Sequence, residues 1–526
     1  MLIDLNQVPE NSQIDCDICI AGAGPAGITI AAELVDVPVR VCLVESGGLS
    51  PRAAVPAGNV AEQLGVLVDL IKVQHLSFGG ASNRWGGLRG RWFRLRPMDP
   101  LDFETRPWVA NSGWPFEYAR LAPFYARAGR ILKISAGSDF SAVARHAHLT
   151  PAFHNDDLRT AIFLMTRPLR FGQHYLELLT RSPNIRVYLH GTLVEIEEDP
   201  DSPIVRRIHV ATPDGRTHRI SAKHFVLACG GLENTRLLLA SKRKMACGIG
   251  NQRDLVGRYY MQHPTGLHGA AVLDRKHLRT PLYTGGYVAN GMRISGGISF
   301  SEEFQRRQQV LNHCIMLRPL FAISEGYASQ AYRSVQRAWY RAERHPGRRG
   351  ELRDLARSAA AVLKQALEGS GLRTIVGVLN HMEQIPKPES RLDLSERKDR
   401  FGVNQLRIDW RIDPQEKASL CRLHKLVQER LAAHGLGKLE SRLDPFADDW
   451  PVSQDSAHHL GTTRMHADPA YGVTDSDCRV HGVRNLFISG GSLFPTSGHA
   501  NPTLTIVALT VRLADHLKRL YGAAQV

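Results

Sequence analysis

The stretch Ala21-Gly22-Ala23-Gly24-Pro25-Ala26-Gly27 decides the fold of this chain. An extended run, residues 15–21, precedes the glycines, and an apolar run at 28–34 that reads as helix follows them. Residues 39–44 then read as a second strand ending on Glu45. Strand, turn, helix and strand fit within about thirty residues, as a parallel crossover requires. Each glycine has a physical task. Gly22 permits the tight turn, Gly24 lets the backbone approach a pyrophosphate, and Gly27 lets the helix pack on the strand. The helix start at Pro25 and Ala26 presents free N–H groups and a partial positive charge to phosphates. Glu45, 18 residues past Gly27, stands where a carboxylate accepts hydrogen bonds from an adenosine ribose. The pattern predicts a dinucleotide site and does not by itself separate NAD from FAD.

Working outward, residues 78–94 are too rich in glycine for a regular element and read as a tightly turned loop. A helix is expected over 117–132, and extended segments begin at 185. Residues 225–229 read as a buried strand that Gly230-Gly231 closes, with a helix over 232–240. Alternation at 407–412 predicts a strand, followed by a helix over 414–434. Residues 485–489 form a strand closed by Gly490-Gly491, and a last helix is expected over 502–519.

A chain of 526 residues exceeds one ordinary core, so two or more domains are expected. Hydrophobic residues make up 43% and charged residues 22%, ordinary for a globular protein. The formal net charge is +15, and part of the excess is local: eight arginines lie between Arg333 and Arg357. That run reads foremost as a solvated helical face, with an anionic substrate or surface as the alternative. Only Trp339 and Tyr340 accompany it, which argues against a nucleic-acid patch. Cys16 and Cys19 lie three apart on the first strand, where side chains point to opposite faces, so neither a shared metal nor a disulfide is expected. The thiols read as core residues of a reducing compartment. No signal peptide or transmembrane run is visible, and the expected location is cytoplasmic.

Further motifs carry a resemblance. They are Val44-Glu45-Ser46-Gly47, Gly79-Gly80-Ala81-Ser82-Asn83-Arg84-Trp85-Gly86, Trp114-Pro115 with Tyr118, and Leu227 to Asn234. Gly257-Arg258-Tyr259-Tyr260 leading to His263-Pro264 adds to them, as do His458-His459-Leu460-Gly461-Thr462 and the stretch from Asn485 to Leu504. With these, most of the chain resembles the glucose–methanol–choline (GMC) oxidoreductases, on the pyranose-oxidase side of that family. The resemblance implies an α/β chain with a Rossmann-type FAD domain built from separated segments (13–100, 185–262 and 452–526). It also implies an α+β substrate domain and cap with an antiparallel sheet, from 101–184 and 263–451. It implies FAD held by Gly22, Gly24, Pro25, Ala26, Gly27, Glu45, Ser46, Gly79, Gly80, Ser82, Asn83, Arg84, Trp85 and Gly86. Val194, Ala228, Gly230, Gly490, Gly491, Asn501, Pro502 and Thr503 complete that set. Arg84 occupies the position where pyranose oxidases carry a flavin-linked histidine, so dissociable FAD is expected.

The implied chemistry is oxidation of a hydroxyl group of a sugar, glycoside, aminosugar or sugar-like alcohol. A base takes the hydroxyl proton while a hydride passes from carbon to flavin N5. A non-carbohydrate alcohol is the alternative, and a non-catalytic flavin protein the alternative from another class. Histidine suits the base role because its neutral form is available near pH 7. The resemblance places His458 there and Asn501 as its partner. His459 remains a rival one position away, His499 can reach the same pocket, and Asn501 also reads as the cap of the last helix. Gln384, Arg391 and Arg94 are polar positions for which the sequence defines no pocket role. No metal is called for. The electron acceptor (oxygen, quinone or a redox protein) and the oligomeric state stay open.

Overall fold

The computed structural model describes residues 1–50, 59–68, 76–85, 92–134, 149–274, 281–289, 292–322, 373–444, 452 and 457–522. Gly86 and the arginine run at 333–357 lie outside these residues.

The first sheet grows from the glycine turn. The strand Gln13–Ala21 pairs in parallel with Val41–Val44 on one side and with Thr217–Leu227 on the other. Val41–Val44 pairs in parallel with Ile185–Leu189, which pairs with Leu2–Asp4. Thr217–Leu227 is long enough to do two things. Its end pairs in parallel with Leu486–Ile488, and its start turns antiparallel against Val205–Ala211, which pairs with Thr192–Glu198. Both faces of the parallel strands are covered, and residues 16–21 and 41–44 are all buried. The helix Pro25–Glu33 returns over the sheet and packs on the last helix, Thr503–Leu520. Its start at Pro25, three residues before the apolar run, follows from the fixed φ of proline at the first helical position.

The second sheet is antiparallel, ordered Gly437–Ser441, Thr265–Asp274, Arg373–His381, Cys314–Ala322, Met292–Phe300, Leu158–Thr166 and Phe93–Leu95. The helix Pro414–Ala433 lays Leu423, Val427 and Leu431 on one face, against Ile294, Ile315 and Val376. The opposite face carries Ala161, Phe163, Cys314, Met316 and Leu379. A third, small sheet joins Arg391–Lys398, Asn404–Trp410 and Val60–Gly65.

Packing cuts across the expected segment boundaries. The helix Tyr118–Ile131, from the segment assigned to the substrate domain, packs on the last helix. Tyr125 meets Thr505 at 3.0 Å, and Arg127 pairs with Asp515 at 2.5 Å. Phe171, Tyr175 and Leu179 of the helix Phe171–Arg181 join the same core as the first sheet. Conversely, Phe93–Leu95, expected in the FAD segment, is an edge strand of the second sheet.

One strand-level expectation is corrected. The Cys16 thiol engages those of Cys19 and Cys42, so Cys16 and Cys19 do not face apart. The N–H groups of Asp17 and Ile18 both donate to Arg40 O, at 2.9 and 3.1 Å, and this irregularity breaks the alternation. All three cysteines are free.

Two buried histidines make the second sheet acid-sensitive. His313 donates from Nε2 to Glu416 O at 2.9 Å and accepts at Nδ1 from Glu383 N at 3.1 Å, so its neutral form is fully satisfied. Burial pushes His313 down to about 4 and His424 to about 3. The unfolded chain binds these protons near pH 6.5, whereas the folded chain refuses them until about pH 4. Unfolding therefore takes up protons below pH 6.5, and stability falls as pH falls through that window. His313 alone is worth on the order of 3 kcal/mol. The melting temperature should drop steadily from pH 6.5 to 4.5 in calorimetry; a flat profile would contradict the assignment.

Candidate active site

The strand ends meet where the first sheet turns. Gly22 sits at φ +97°, and a Cβ there would stand 2.6 Å from Ala228 O. A Cβ on Gly27 would lie 1.9 Å from Gly22 O, so helix and turn touch as only glycine allows. A Cβ on Gly24 or Gly230 meets nothing within 4 Å, and on Gly490 only Asn234 Nδ2 at 3.9 Å. These three glycines therefore border open space at the carboxyl ends of the strands, the place where such sheets take nucleotides. The helix Pro25–Glu33 has no side-chain cap, which leaves its first N–H groups for a phosphate. Glu45 is buried and accepts from Ala23 N at 3.0 Å and Gly47 N at 2.9 Å. Burial, opposed by these N–H groups, pushes its carboxyl up. Each oxygen keeps a further lone pair for a ribose hydroxyl. Asn234 ties the two C-terminal turns, accepting from Cys229 N at 2.9 Å and donating to Ser492 Oγ at 3.4 Å. This cradle fits FAD. Gly24→Val should leave the fold intact and lose the flavin, while Gly27→Val should lose both. Flavin absorbance per chain beside circular dichroism separates the two outcomes.

The 79–85 loop lies against this turn. Gly79 N donates to Ala23 O at 2.8 Å, and a Cβ on Gly80 would stand 2.9 Å from Gly24 Cα. Ser82 and Asn83 are spent on the loop itself. Ser82 Oγ donates to Gly79 O at 2.6 Å and accepts from Phe171 N at 3.1 Å, and Asn83 donates to Ser77 Oγ at 2.9 Å. Trp85 stacks on Phe93 with centroids 4.6 Å apart, and Arg84 is exposed. Ser46 and Val194 are half-buried; Ala228, Gly230-Gly231 and Gly490-Gly491 form the turns beyond the strands.

Across the cleft stands a chain of histidines. His458 Nδ1 lies 2.8 Å from His263 Nδ1, and His263 Nε2 lies 3.1 Å from Ser497 O. A carbonyl only accepts, so His263 carries its proton on Nε2. Burial keeps His263 neutral. Its Nδ1 therefore accepts, His458 donates from Nδ1, and the Nε2 lone pair of His458 is free. His458 is half-buried. Its proton affinity is pushed well below the usual value by burial and then by His263, His381 and His459.

The rivals are placed differently. His459 Nδ1 meets Tyr260 Oη at 2.8 Å, its Nε2 is enclosed without a hydrogen bond, and its backbone carbonyl packs against Gly231. His499 Nε2 accepts from Arg96 at 2.9 Å, and its Nδ1 meets Asn312 Oδ1 at 3.0 Å. Burial and the Arg96 charge keep His499 neutral with no lone pair to spare. The capping alternative for Asn501 also falls: the residue before the last helix is Pro502, and the Asn501 amide makes no hydrogen bond among the described residues. The loop before the helix is anchored by Thr496 Oγ1 to Asp102 O at 2.6 Å and by Gln384 N to Ser497 Oγ at 2.8 Å. The first N–H groups of that helix lack a side-chain cap.

Of the polar positions left open, Gln384 is scaffold: its Oε1 accepts from Gln262 N and Trp410 Nε1 at 2.8 and 3.0 Å. Arg391 pairs with Asp254 at 3.0 Å. His263 was quoted in the His-Pro motif without a role, and no spacing rule links it to a partner 195 residues away.

Residues 386–510 match the family model of GMC oxidoreductase. The chain is 25% identical to 6'''-hydroxyparomomycin C oxidase of Streptomyces lividus, over 95% of this chain and 92% of that one. It is 24% identical to 2-methyl-1,2-propanediol dehydrogenase of Mycolicibacterium austroafricanum, over 96% of each. Formate oxidase shares the fold, with a TM-score of 0.56 at 14% identity over 98% of this chain and 100% of that one. These similarities mark the chain as an FAD-dependent oxidoreductase that acts on CH–OH groups, with a GMC oxidoreductase match confined to residues 386–510. Among the described residues no helix is long and apolar enough to cross a membrane.

Proposed function

We propose that this chain oxidises a hydroxyl group of a sugar, glycoside or sugar-like alcohol to a carbonyl, with His458 as general base and Asn501 beside it. One observation carries this reading: the Ser497–His263–His458 chain leaves an unprotonated Nε2 on His458. His458 Nε2 takes the hydroxyl proton, and His263, held by Ser497, fixes the ring orientation by accepting from Nδ1. The free Asn501 amide donates to the substrate oxygen as charge develops there, and the uncapped helix start behind it adds its dipole. Bound FAD supplies the two-electron acceptor for the hydrogen that leaves carbon. Asn501, Pro502 and Thr503 would border it, and the glycine turns would hold its pyrophosphate. Arg84 in the loop motif supports dissociable FAD, which acid precipitation should release into the supernatant. A cytoplasmic location, suggested by the free thiols, belongs to the same reading.

A diol dehydrogenase is among the relatives, so a non-carbohydrate alcohol is the alternative that a substrate test must separate. Anaerobic flavin bleaching with a panel of sugars, glycosides and simple diols decides between them. Bleaching by diols alone would overturn the carbohydrate reading. Readmitting oxygen then separates an oxidase from a dehydrogenase.

A further inference from the structure

The inner face of the second sheet carries a charge that the reaction above does not use. Arg94 lies on the strand Phe93–Leu95, and Arg96 follows two residues later, just past its end, on the same side. Arg96 lies over the Phe163 ring at 5.5 Å and meets His499 at 2.9 Å, which puts this face against the catalytic loop. Arg94 pairs in register with Met165, Ser295 with Phe163, and His381 with Cys314, four residues before Arg318. Alternation thus collects Arg94, Ser295, Arg318 and His381 on the side that looks toward His458.

What distinguishes Arg94 is the lack of a partner. Arg96, Arg106, Arg159 and Arg236 each face a carboxylate. Arg94 is largely enclosed, and no carboxylate among the described residues meets it or its exposed neighbour on this face, Arg318. Ser295 Oγ and His381 Nε2 are likewise enclosed and unpartnered. A buried guanidinium without a counter-charge is costly, and a fold keeps one where a ligand supplies the missing anion. The electrostatics agree: burial and then Arg318 push the Arg94 proton affinity down, and burial with Arg94, His263 and Arg318 does the same to His381.

We propose that this face is an anion site, so that the alcohol oxidised here carries a carboxylate or phosphate group that pairs with Arg94 and Arg318. This inference rests on the reading of His458 as the site of alcohol oxidation and sharpens it. Sugar acids and sugar phosphates fit the face, and aminosugars, which bring like charge to two arginines, do not.

The test uses the holoenzyme and matched neutral and anionic substrates: glucose with gluconate, glucuronate and glucose 6-phosphate. Anaerobic flavin reduction gives kcat/KM for each, and calorimetric titration with inorganic phosphate and with glucuronate gives binding without turnover. Anionic members should be favoured at least about tenfold, and the preference should shrink as salt rises. Whichever of carboxylate and phosphate is favoured identifies the group. Arg94→Gln should lower the ratio of anionic to neutral kcat/KM by about 100-fold and abolish anion binding, with partial recovery in Arg94→Lys. Equal use of neutral and anionic members, with Arg94→Gln acting alike on both, would overturn the proposal. So would an Arg94→Gln variant that shifts the flavin potential and leaves anion binding unchanged. If no alcohol bleaches the flavin, the oxidation reading fails; anion binding that Arg94→Gln removes would then still uphold the site, and its absence would sink it.

Discussion

His458→Ala should slow single-turnover flavin reduction by about two to four orders of magnitude while flavin content and melting temperature stay near the parent values. The structural cost is small because, among the described residues, the hydrogen bond lost is the one to His263. His459→Ala should cost far less in rate, since His459 is turned to Tyr260. In the parent enzyme the reduction rate should stay flat from pH 8 down to 6.5. The active form is the deprotonated base, and burial among His263, His381 and His459 holds its proton affinity well below the ordinary value. Rate is therefore lost only as pH falls through that depressed value. A rate that halves at pH 6.5 or above, or a His458→Ala enzyme within threefold (roughly) of the parent, would remove His458 from the base role.

Glu383→Ala should be the most destabilising of these changes, costing about 3–5 kcal/mol in urea unfolding. Arg106 and Glu383 form a bidentate pair, 1% and 0% exposed, with the second contact at 3.0 Å. Glu383 also accepts from Asn312 N at 2.8 Å. Truncation leaves a buried guanidinium with no charge to face, and little room for water to compensate it. The apolar pair Arg106→Met with Glu383→Leu should recover much of the loss, because both charges then disappear together. The effect should reach the active site too. Gln384, the next residue, holds Ser497, and Ser497 holds His263. Partial loss of flavin reduction at temperatures where Glu383→Ala is still folded would report that path. An unchanged unfolding midpoint would show that the pair contributes no net stability.

The dinucleotide half was legible because its constraints are local. Gly22, Gly24 and Gly27 answer to a turn, a close approach and a helix contact within six residues, and each requirement appears as open or forbidden Cβ space. Glu45 follows from strand length. The segment boundaries were less legible. The helices Tyr118–Ile131 and Phe171–Arg181 carry amphipathic faces that fit any core, and only packing sends them to the first sheet. The pairing of Cys16 with Cys19 was missed because one irregular contact at Arg40 O overrides strand alternation.

The sequence by itself determined the parallel glycine-turn unit and the separated strands that return to it, and through motif resemblance it offered the pair His458 and Asn501 as an expectation. Tertiary structure alone decided how the His458 ring is held. That depends on a proton chain running from Ser497 through His263 to His458, three points brought within 3.1 Å by folding. It also decided that Arg94 meets no carboxylate among the described residues while Arg96, two residues along, is paired. Period and composition assign such residues to a face. Whether a charge on that face is satisfied depends on what the rest of the chain brings to meet it.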